Sequence, residues 1–349
     1  MTALLKLLAL ILGIDLSHWS GVVDWLKVRT NNIVQFVFIK CTEALDFFDD
    51  QYTNNYNGCI AQKFPFGPYH FYRHNGKPVQ QAEWFHAHIG AGVKVAVCDA
   101  ETTVLEVIND VLAAVGKKPL LRGASYAKWQ SAIKTVRTVA GNSNINSTSL
   151  TALVTKAVAM IDSLIASLAG DVYTFCQWLE DEGYKAVIYS SPGFIQSFLQ
   201  DERLAKFFLW IAHIGVTEPT IPPPWAQFGK WLVNKMVCAW QNLWDLVVDG
   251  VPEAAVDGNL WNPAAGDMYT WFGNGEPYNP SDPKLPNYVY SLSTTLRIRS
   301  SVWGTVVGYI TDKSIAYKVL ESQTDSNGDK WYRIGKARWV AGWLCEVIE

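Results

Sequence analysis

Val93-Lys94-Val95-Ala96-Val97-Cys98-Asp99-Ala100-Glu101 is a short, almost entirely apolar run that ends in two carboxylates. A continuous apolar run, as opposed to an alternating one, is typical of a strand covered on both faces of its sheet. The two acids mark the point where such a strand leaves the core. The run therefore predicts a buried strand that carries polar side chains at its carboxyl end.

Seven other short apolar runs, bounded by turn residues, repeat this pattern along the chain. The intervals between the early runs can hold helices, and strand–helix alternation about eight times predicts an α/β fold built on a (β/α)8-type barrel. Ile221-Pro222-Pro223-Pro224 excludes a helix from one late interval, so we expect the barrel to be irregular. The eight runs are Ala9–Asp15, Ile33–Cys41, Phe66–Tyr72, Val93–Glu101, Ala186–Ser190, Phe208–His213, Met236–Gln241 and Ala254–Asn259.

The interval 102–185 is too long for a single crossover helix. It contains a helical pattern from Tyr126 to Ala140, an Asn- and Ser-rich turn, and a second apolar helix that reaches Ala169. We therefore predict a helical hairpin inserted into the barrel at about residues 103–170. Because the insertion follows the run that ends in two acids, it is placed to overhang the cleft that those acids would line.

The insertion has an uneven charge distribution, because residues 117–137 hold six basic residues and no acid. A basic amphipathic helix can contact an anionic wall polymer or a membrane surface. A packed hairpin with a solvated basic face explains the same pattern, and both interpretations stay open. The six residues are Lys117, Lys118, Arg122, Lys128, Lys134 and Arg137.

Two segments partly resemble a signal peptide or a membrane-spanning helix. Met1–Leu12 is charged and then apolar, but it has one Lys, has no small-residue cleavage site, and runs directly into Gly13-Ile14-Asp15. We expect it to be a structural segment. Leu150–Ala169 is interrupted by Lys156 and Asp162, which argues against a membrane-spanning helix.

The composition of the 349 residues limits the classes of function. A formal net charge of −3, with 17% charged residues, provides no basic field for nucleic acid, which we exclude as a partner. The 16 Trp and 15 Tyr suit sugar binding, because flat rings stack on sugar faces, although many of them must serve the core. The six Cys show no CxxC pair and no metal-ligand spacing, so we expect reduced thiols.

The chain changes character after Trp261. Residues 262–287 are rich in Pro, Gly, Asn and Asp, which predicts a linker between a barrel domain at 1–261 and a second domain at 288–349. Short alternating runs such as Leu296-Arg297-Ile298-Arg299 predict that the second domain is a small antiparallel all-β barrel.

Polar or aromatic residues collect near the carboxyl ends of the predicted barrel strands, where active sites of such barrels are built. Asp99-Ala100-Glu101 is the sharpest case, because residues two apart on a strand project to the same side. Close carboxyls repel, which raises at least one pKa and can supply a proton donor for a glycosidic oxygen. A metal site made from the same acids is the competing interpretation. In strand order the residues are Asp15, Glu43, His70, Asp99 with Glu101, Tyr189, His213, Trp240 with Gln241, and Asp257.

Eight ordered segments between residues 13 and 261 resemble the successive motifs of glycoside hydrolase family 25, the Chalaropsis-type lysozymes of bacteria, fungi and phages. The segment 288–349, with its Gly328-x-x-Trp331-Tyr332 turn, is similar to bacterial SH3 domains that bind cell walls. The family 25 segments are Gly13-Ile14-Asp15-Leu16-Ser17-His18-Trp19, Phe38-Ile39-Lys40-Cys41-Thr42-Glu43, Gly67-Pro68-Tyr69-His70-Phe71, Asp99-Ala100-Glu101, Ile188-Tyr189-Ser190, Leu209-Trp210-Ile211-Ala212, Trp240-Gln241 and Val256-Asp257-Gly258-Asn259.

The resemblance implies a peptidoglycan muramidase that uses no metal or organic cofactor. Glu101 would be the general acid for the β-1,4 bond between N-acetylmuramic acid and N-acetylglucosamine, and Asp99 would orient the N-acetyl group as an internal nucleophile. Asp15 and Asp257 match the family's other active-site acids. An inactive wall-binding or phage structural protein and a chitinase-type hydrolase are the alternatives. A phage endolysin and an exported autolysin are both compatible with the sequence.

The remaining candidates are substrate-binding residues, each with a structural alternative. Tyr69, Tyr189, Trp210 and Trp240 would line the sugar groove, with a core role equally open for Trp210. His70 is either functional or a hydrogen-bonded scaffold residue. Glu43 either touches substrate or anchors the rim through Lys40, and Asn259 is expected to hold the segment that presents Asp257.

Overall fold

The computed structural model describes residues 11–348 except 32, 75, 102–103, 122, 143–146, 254, 278–287, 311–316, 320 and 336–337. The chain forms two compact units that divide between Tyr278 and Asn279, called here the barrel unit and the C-terminal unit. Most of the signal-like segment Met1–Leu12 lies outside the described residues, so its structural role stays a prediction.

Eight strands of the barrel unit close into a ring, as predicted. Each strand pairs with the next, from β1 through β2 and β4 to β9, and β9 pairs back with β1, while β3 is a short hairpin partner of β2. The strands are β1 (Leu12–Leu16), β2 (Phe36–Glu43), β3 (Phe47–Phe48), β4 (Phe66–Phe71), β5 (Val95–Asp99), β6 (Lys185–Ser190), β7 (Phe208–Ala212), β8 (Val237–Leu246) and β9 (Val256–Trp261).

The barrel is irregular at its last strand. The pairings from β1 to β8 are parallel, whereas β9 is antiparallel to both of its neighbours. The cause is chain length: Leu246 and Val256 are joined by only nine residues, and a parallel return needs a crossover of about a dozen or more. The start of β9 therefore lies at the rim formed by the carboxyl ends of the other strands.

Helices cover the outside of the strands, and three of them precede the long helical segment that leads to β6. That segment contains four helices where the predicted hairpin had two. One helix precedes the hairpin, and after a π-helical turn at Leu164–Leu168 a further helix continues past residue 170 to Asp181. The helices are α1 (Trp25–Asn31), α2 (Tyr52–Ala61), α3 (Pro78–Ile89), α4 (Val104–Ala114), α5 (Tyr126–Ala140), α6 (Thr148–Ser163), α7 (Ala169–Asp181), α8 (Pro192–Phe198) and α9 (Met268–Phe272).

The inserted helices pack by their apolar faces. α5 buries Trp129, Ile133 and Val136, as its helical spacing predicts, and these join the core between strands and helices. By length and composition alone, Thr148–Asp181 would suffice to cross a membrane. One stripe of it, which includes Val154, nevertheless packs into the same core.

The predicted linker starts too early. Asn262 is buried, and its Nδ2 lies within 2.9 Å of the carbonyl oxygens of Trp231, Asn234 and Val237. The following helix α9 places Phe272 in the cluster that fills the barrel. Residues 262–277 therefore belong to the barrel unit, because Pro, Gly and Asn signal turns but do not exclude tertiary packing.

The C-terminal unit consists of short antiparallel strands in the part of the chain that is described. They form a three-stranded sheet in the order β13-β10-β17 and a five-stranded sheet in the order β12-β11-β16-β15-β14. Val289, Leu296 and Val340 are buried in the core of this unit. The strands are β10 (Tyr288–Ser291), β11 (Leu296–Arg299), β12 (Val306–Ile310), β13 (Tyr317–Lys318), β14 (Glu321–Thr324), β15 (Lys330–Gly335), β16 (Arg338–Ala341) and β17 (Cys345–Ile348).

Candidate active site

A cleft of about 730 Å³ opens at the rim where the parallel strands end. It is lined by most of the residues that the sequence singled out. The predicted residues in its lining are Asp15, Glu43, Tyr69, Asp99, Glu101, Tyr189, Trp210, Gln241 and Asp257.

Four acids reach this cleft from three strands of the barrel, β1, β5 and β9, or from the residues directly after them. Asp15 near the end of β1 is paired in register with Asp257 near the start of β9. Asp99 ends β5 and is only 5% exposed. The Ala100 N–H donates to Tyr189 O at 2.9 Å, which continues the strand pairing beyond Asp99 and carries Glu101 to the same side of the rim.

Two amide side chains hold the pair of acids formed by Asp15 and Asp257. Gln241 Nε2 donates to Asp15 Oδ2 at 3.0 Å and to Asp257 Oδ2 at 3.2 Å. Asn259 Nδ2 donates to Asp15 Oδ2 at 2.7 Å. The two carboxyl groups are therefore fixed by donors that approach from the floor of the cleft.

Buried aromatic residues orient these amides. Tyr189 donates its hydroxyl hydrogen to Gln241 Oε1 at 2.8 Å, and Trp210 Nε1 donates to Asn259 Oδ1 at 2.7 Å. With its oxygen occupied, each amide must turn its N–H₂ group towards the acids. Trp210 also stacks on Phe38, with 4.1 Å between ring centroids. Tyr189 and Trp210 thus form the floor of the cleft and position its polar groups.

The Asp15 carboxyl holds a proton at neutral pH. Burial is the largest cause, followed by the negative charge of Asp257; these raise the pKa of Asp15 to about 8, against the opposing hydrogen bonds from Asn259 and Gln241. The charge of Glu101 adds a smaller increase in this pKa. The cleft therefore combines a neutral carboxyl group with further acids, and burial contributes more to this than repulsion between carboxylates does.

Glu43 is held at the rim by two cations. Its Oε2 lies 2.7 Å from Lys40 Nζ, and its Oε1 accepts from Arg73 Nε at 2.8 Å and Nη2 at 2.6 Å. Burial alone would raise the pKa of Glu43, but these hydrogen bonds and charges outweigh it and lower the pKa. Glu43 lines the cleft as an ionised anchor of the rim, in line with the structural alternative.

His70 and Trp240 do not line the cleft, which corrects two of the predicted binding residues. His70 is fully buried on the helix side of β4, where its Nδ1 lies 2.8 Å from Thr42 Oγ1 and its Nε2 lies 3.1 Å from Gln81 Oε1. Burial lowers the pKa of His70 to about 4. Trp240 is also buried, and its Nε1 donates to His213 O at 2.9 Å.

The physical reason for both errors is the alternation of side chains along a strand. Tyr69 faces the cleft, so its neighbour His70 faces the helices. Gln241 faces the cleft, so Trp240 packs outside the ring. Position at a strand end does not by itself tell which face a side chain takes.

Three aromatic residues in the cleft were missed because they lie beyond the ends of the predicted strands or on a hairpin. Trp19 is 78% exposed, Trp244 is 60% exposed and Phe47 is 38% exposed. Trp19 rests against His18, whose Nδ1 lies 2.7 Å from Asp49 Oδ2. The sequence feature that could have identified Trp19 is the run Ser17-His18-Trp19, which directly follows Asp15.

The inserted helices also contribute to the cleft. Leu105 and Glu106 of α4 and Trp129 of α5 are among its lining residues. Among the described residues, no group of three or more His, Cys, Asp or Glu side chains has an arrangement that could hold a metal ion.

The C-terminal unit carries an aromatic cluster of its own. Trp303 and Trp343 are about half exposed and contact the buried Trp331, with ring centroids 5.0 and 5.3 Å away. Asp325 Oδ2 accepts from Trp303 Nε1 at 2.7 Å and from Trp331 Nε1 at 3.2 Å. The carboxylate thus fixes the orientation of two of the three rings.

Residues 14–153 match the model of the family described as Glycosyl hydrolases family 25. This stretch, about 40% of the chain, is similar to family 25. The matched residues include Asp15, Asp99 and Glu101, and the predicted resemblance to this family is confirmed for residues 14–153.

Two curated lysozymes are similar to part of the chain. Lysozyme M1 of Streptomyces globisporus is 35% identical over 79 residues, which are 22% of this chain and 26% of that protein. The autolytic lysozyme of Clostridium acetobutylicum is 33% identical over 108 residues, 30% of this chain and 32% of that protein. The chain thus spans about a quarter to a third of the curated relatives it matches. The solved bacterial lysozyme from Streptomyces coelicolor is 21% identical, with a TM-score of 0.47, over 75% of this chain and 97% of that one.

Proposed function

We propose that this protein is a peptidoglycan muramidase, a lysozyme that hydrolyses the β-1,4 bond between N-acetylmuramic acid and N-acetylglucosamine. The observation that carries the proposal is the convergence of Asp15, Asp99, Glu101 and Asp257 in one cleft that is open to solvent. The family 25 match over residues 14–153 and the two lysozymes similar to the chain support the same activity.

In this mechanism Glu101 is the general acid. It is partly exposed in the cleft, so a glycosidic oxygen can approach it, and it gives its proton to that oxygen as the bond breaks. Asp99 orients the substrate's N-acetyl group, whose carbonyl oxygen attacks the anomeric carbon and forms a cyclic intermediate. Water then opens this intermediate and returns a proton to Glu101, so the configuration is retained without a covalent bond to the enzyme.

Asp15 and Asp257 act as a charge-tuning pair. Because Asp15 keeps its proton at neutral pH, the pair carries less negative charge beside Glu101 than two carboxylates would. A neutral Asp15 also has a hydrogen to donate to a bound sugar, while Asp257 stays within reach of Gln241.

The sugar-binding walls are assigned to two kinds of residue. The first kind offers ring faces to substrate: Tyr69, which is half buried, and Trp19 and Trp244, which lie at the rim. Tyr189 and Trp210 act from below by holding the amides of the floor.

The segment 288–349 is proposed to be an SH3-like module that binds the cell wall. The half-exposed rings of Trp303 and Trp343 are the contact surface that supports this role. A second attachment raises the effective concentration of the barrel unit on an insoluble substrate. Action on the bacterial wall fits both a phage endolysin and an exported autolysin.

The test compares Glu101→Gln with Glu106→Gln on purified peptidoglycan. Removing a general acid typically costs about 10²–10⁴-fold in rate, so Glu101→Gln should release almost no reducing sugar while keeping its circular dichroism spectrum and its binding to walls. Glu106 lines the same cleft but is exposed on α4, so its variant should keep most of the activity.

Mass analysis of the new reducing ends identifies the bond. Reducing N-acetylmuramic acid is the expected product. Full activity of Glu101→Gln, or reducing N-acetylglucosamine as the product, would overturn the assignment. Faster turnover of chitin oligomers than of peptidoglycan would favour a chitinase instead.

A further inference from the structure

The insertion concentrates positive charge that the proposed catalysis does not use. Residues 111–161 contain seven basic residues and no Asp or Glu, although the whole chain has a net charge of −3. The stretch covers the end of α4, all of α5 and most of α6. Its basic residues are Lys117, Lys118, Arg122, Lys128, Lys134, Arg137 and Lys156.

Five of these side chains are directed to solvent without a charged partner. They are exposed, and in the described part of the chain none of them takes part in an ion pair, whereas Arg137 pairs with Asp162 at 2.7 Å. Elsewhere in the barrel unit, exposed cations such as Lys63 and Lys206 lie beside acids. We call the unpaired set the basic surface: Lys117, Lys118, Lys128, Lys134 and Lys156.

The burial pattern indicates what kind of anion fits this surface. A helix that inserts into a membrane presents its apolar face to the lipid, but the apolar face of α5, with Trp129, Ile133 and Val136, is packed inside the protein. What remains outside on α5 is mostly Lys, Ser, Thr, Gln and Ala. Such a surface suits a hydrated chain of repeated negative charges, which lysines bind through their charge.

We propose that the basic surface binds an anionic, phosphodiester-linked polymer of the bacterial wall. Its place beside the cleft supports this partner, because Leu105 of α4 and Trp129 of α5 line the cleft from the same helices. A polymer held there lies next to the glycan that the cleft is proposed to cut. The inference takes its setting, the bacterial wall, from the proposed function, but it does not depend on turnover.

The test measures binding of the full chain to free poly(glycerol phosphate), which contains no glycosidic bond for the enzyme to cut. Lys128→Gln/Lys134→Gln removes two charges from the basic surface. Lys230→Gln/Lys235→Gln removes two exposed charges outside the insertion and is the matched control. Gln keeps helix propensity close to that of Lys, so both variants should fold.

We expect the first variant to bind roughly tenfold more weakly at low salt, and its slope of log affinity against log salt to fall by about 1 to 2. The control should match the wild type. No binding by the wild type, or equal weakening in both variants, would overturn the proposal. So would binding to anionic vesicles of phosphatidylglycerol that exceeds binding to the polymer.

The polymer result is separable from the proposed activity. If Glu101→Gln binds poly(glycerol phosphate) as the wild type does, polymer binding by the basic surface remains supported even when no muramidase activity is found. If the wild type cuts stripped walls but ignores the polymer, the activity stands and this inference fails.

Discussion

Asp15→Asn should stabilise the protein at neutral and alkaline pH, because the carboxyl of Asp15 is costly to ionise where it lies. Its pKa is raised from 3.8 to about 8, first by burial and then by Asp257. The folded protein therefore binds more protons than the unfolded chain between about pH 4 and 8. The contribution of Asp15 to the free energy of unfolding must therefore fall as pH rises through that range.

The size of the effect follows from the same values. Each unit of pKa shift corresponds to about 1.4 kcal/mol. Ionising Asp15 in the folded protein therefore costs roughly 6 kcal/mol more than ionising it in the unfolded chain. Water in the open cleft screens part of this charge. We therefore expect Asp15→Asn to raise the free energy of unfolding by about 2–4 kcal/mol at pH 8 and by almost nothing at pH 4. The amide introduced by Asp15→Asn keeps an oxygen for the Asn259 and Gln241 donors and offers an N–H to Asp257.

The assay is urea unfolding of the wild type, Asp15→Asn and Asp50→Asn from pH 4 to 8. Asp50 is an exposed acid outside the cleft lining and controls for the loss of one carboxylate. A stability difference between wild type and Asp15→Asn that stays constant over this range would refute the reasoning. A variant that gains stability and loses muramidase activity would identify Asp15 as a group kept for function at the expense of stability.

Two further variants test the walls and the floor of the cleft. Trp19→Ala should raise KM about three- to tenfold with little change in kcat, since an aromatic contact contributes about 0.5–1.5 kcal/mol. Phe228→Ala removes an exposed aromatic ring outside the cleft and should leave KM unchanged; equal effects of the two variants would contradict a sugar-stacking role. Trp210→Phe keeps the ring but removes the donor to Asn259, so kcat should fall about tenfold, with the buried bond contributing about 1–2 kcal/mol. The control is Trp225→Phe, which loses a buried donor outside the cleft lining; it should lower the urea midpoint and leave kcat unchanged. A fall in kcat for this control would show that the loss of kcat in Trp210→Phe does not come from its bond to Asn259.

The strands were predictable because they are buried on both faces. Each of the eight apolar runs overlaps one barrel strand, with ends that differ by up to five residues. The order of the runs then placed Asp15 and Asp99 at one rim, because parallel strands all end on the same side. A continuous apolar run has no alternation, however, and so does not reveal which face each side chain takes. That ambiguity is why His70 and Trp240 were assigned to the wrong face.

The other differences arise where local sequence does not determine tertiary contacts. Residues 262–277 have the composition of a linker, yet Asn262 satisfies three buried carbonyl groups and Phe272 fills the barrel end. The π-helical turn at Leu164–Leu168 joins α6 and α7 without any proline or glycine that would mark it. These features depend on partners distant in sequence.

The antiparallel direction of β9 explains both the geometry and the electrostatics of the site. In a regular parallel barrel, the second residue of a six-residue strand would lie roughly 13 Å from the carboxyl rim, at about 3.3 Å per residue. Because the connection from Leu246 to Val256 is too short for a crossover, β9 returns in the opposite direction and sets Asp257 beside Asp15. Their repulsion adds to burial in keeping the proton on Asp15. The short connection after β8 is thus one cause of both the irregular topology and the charge state of the cleft.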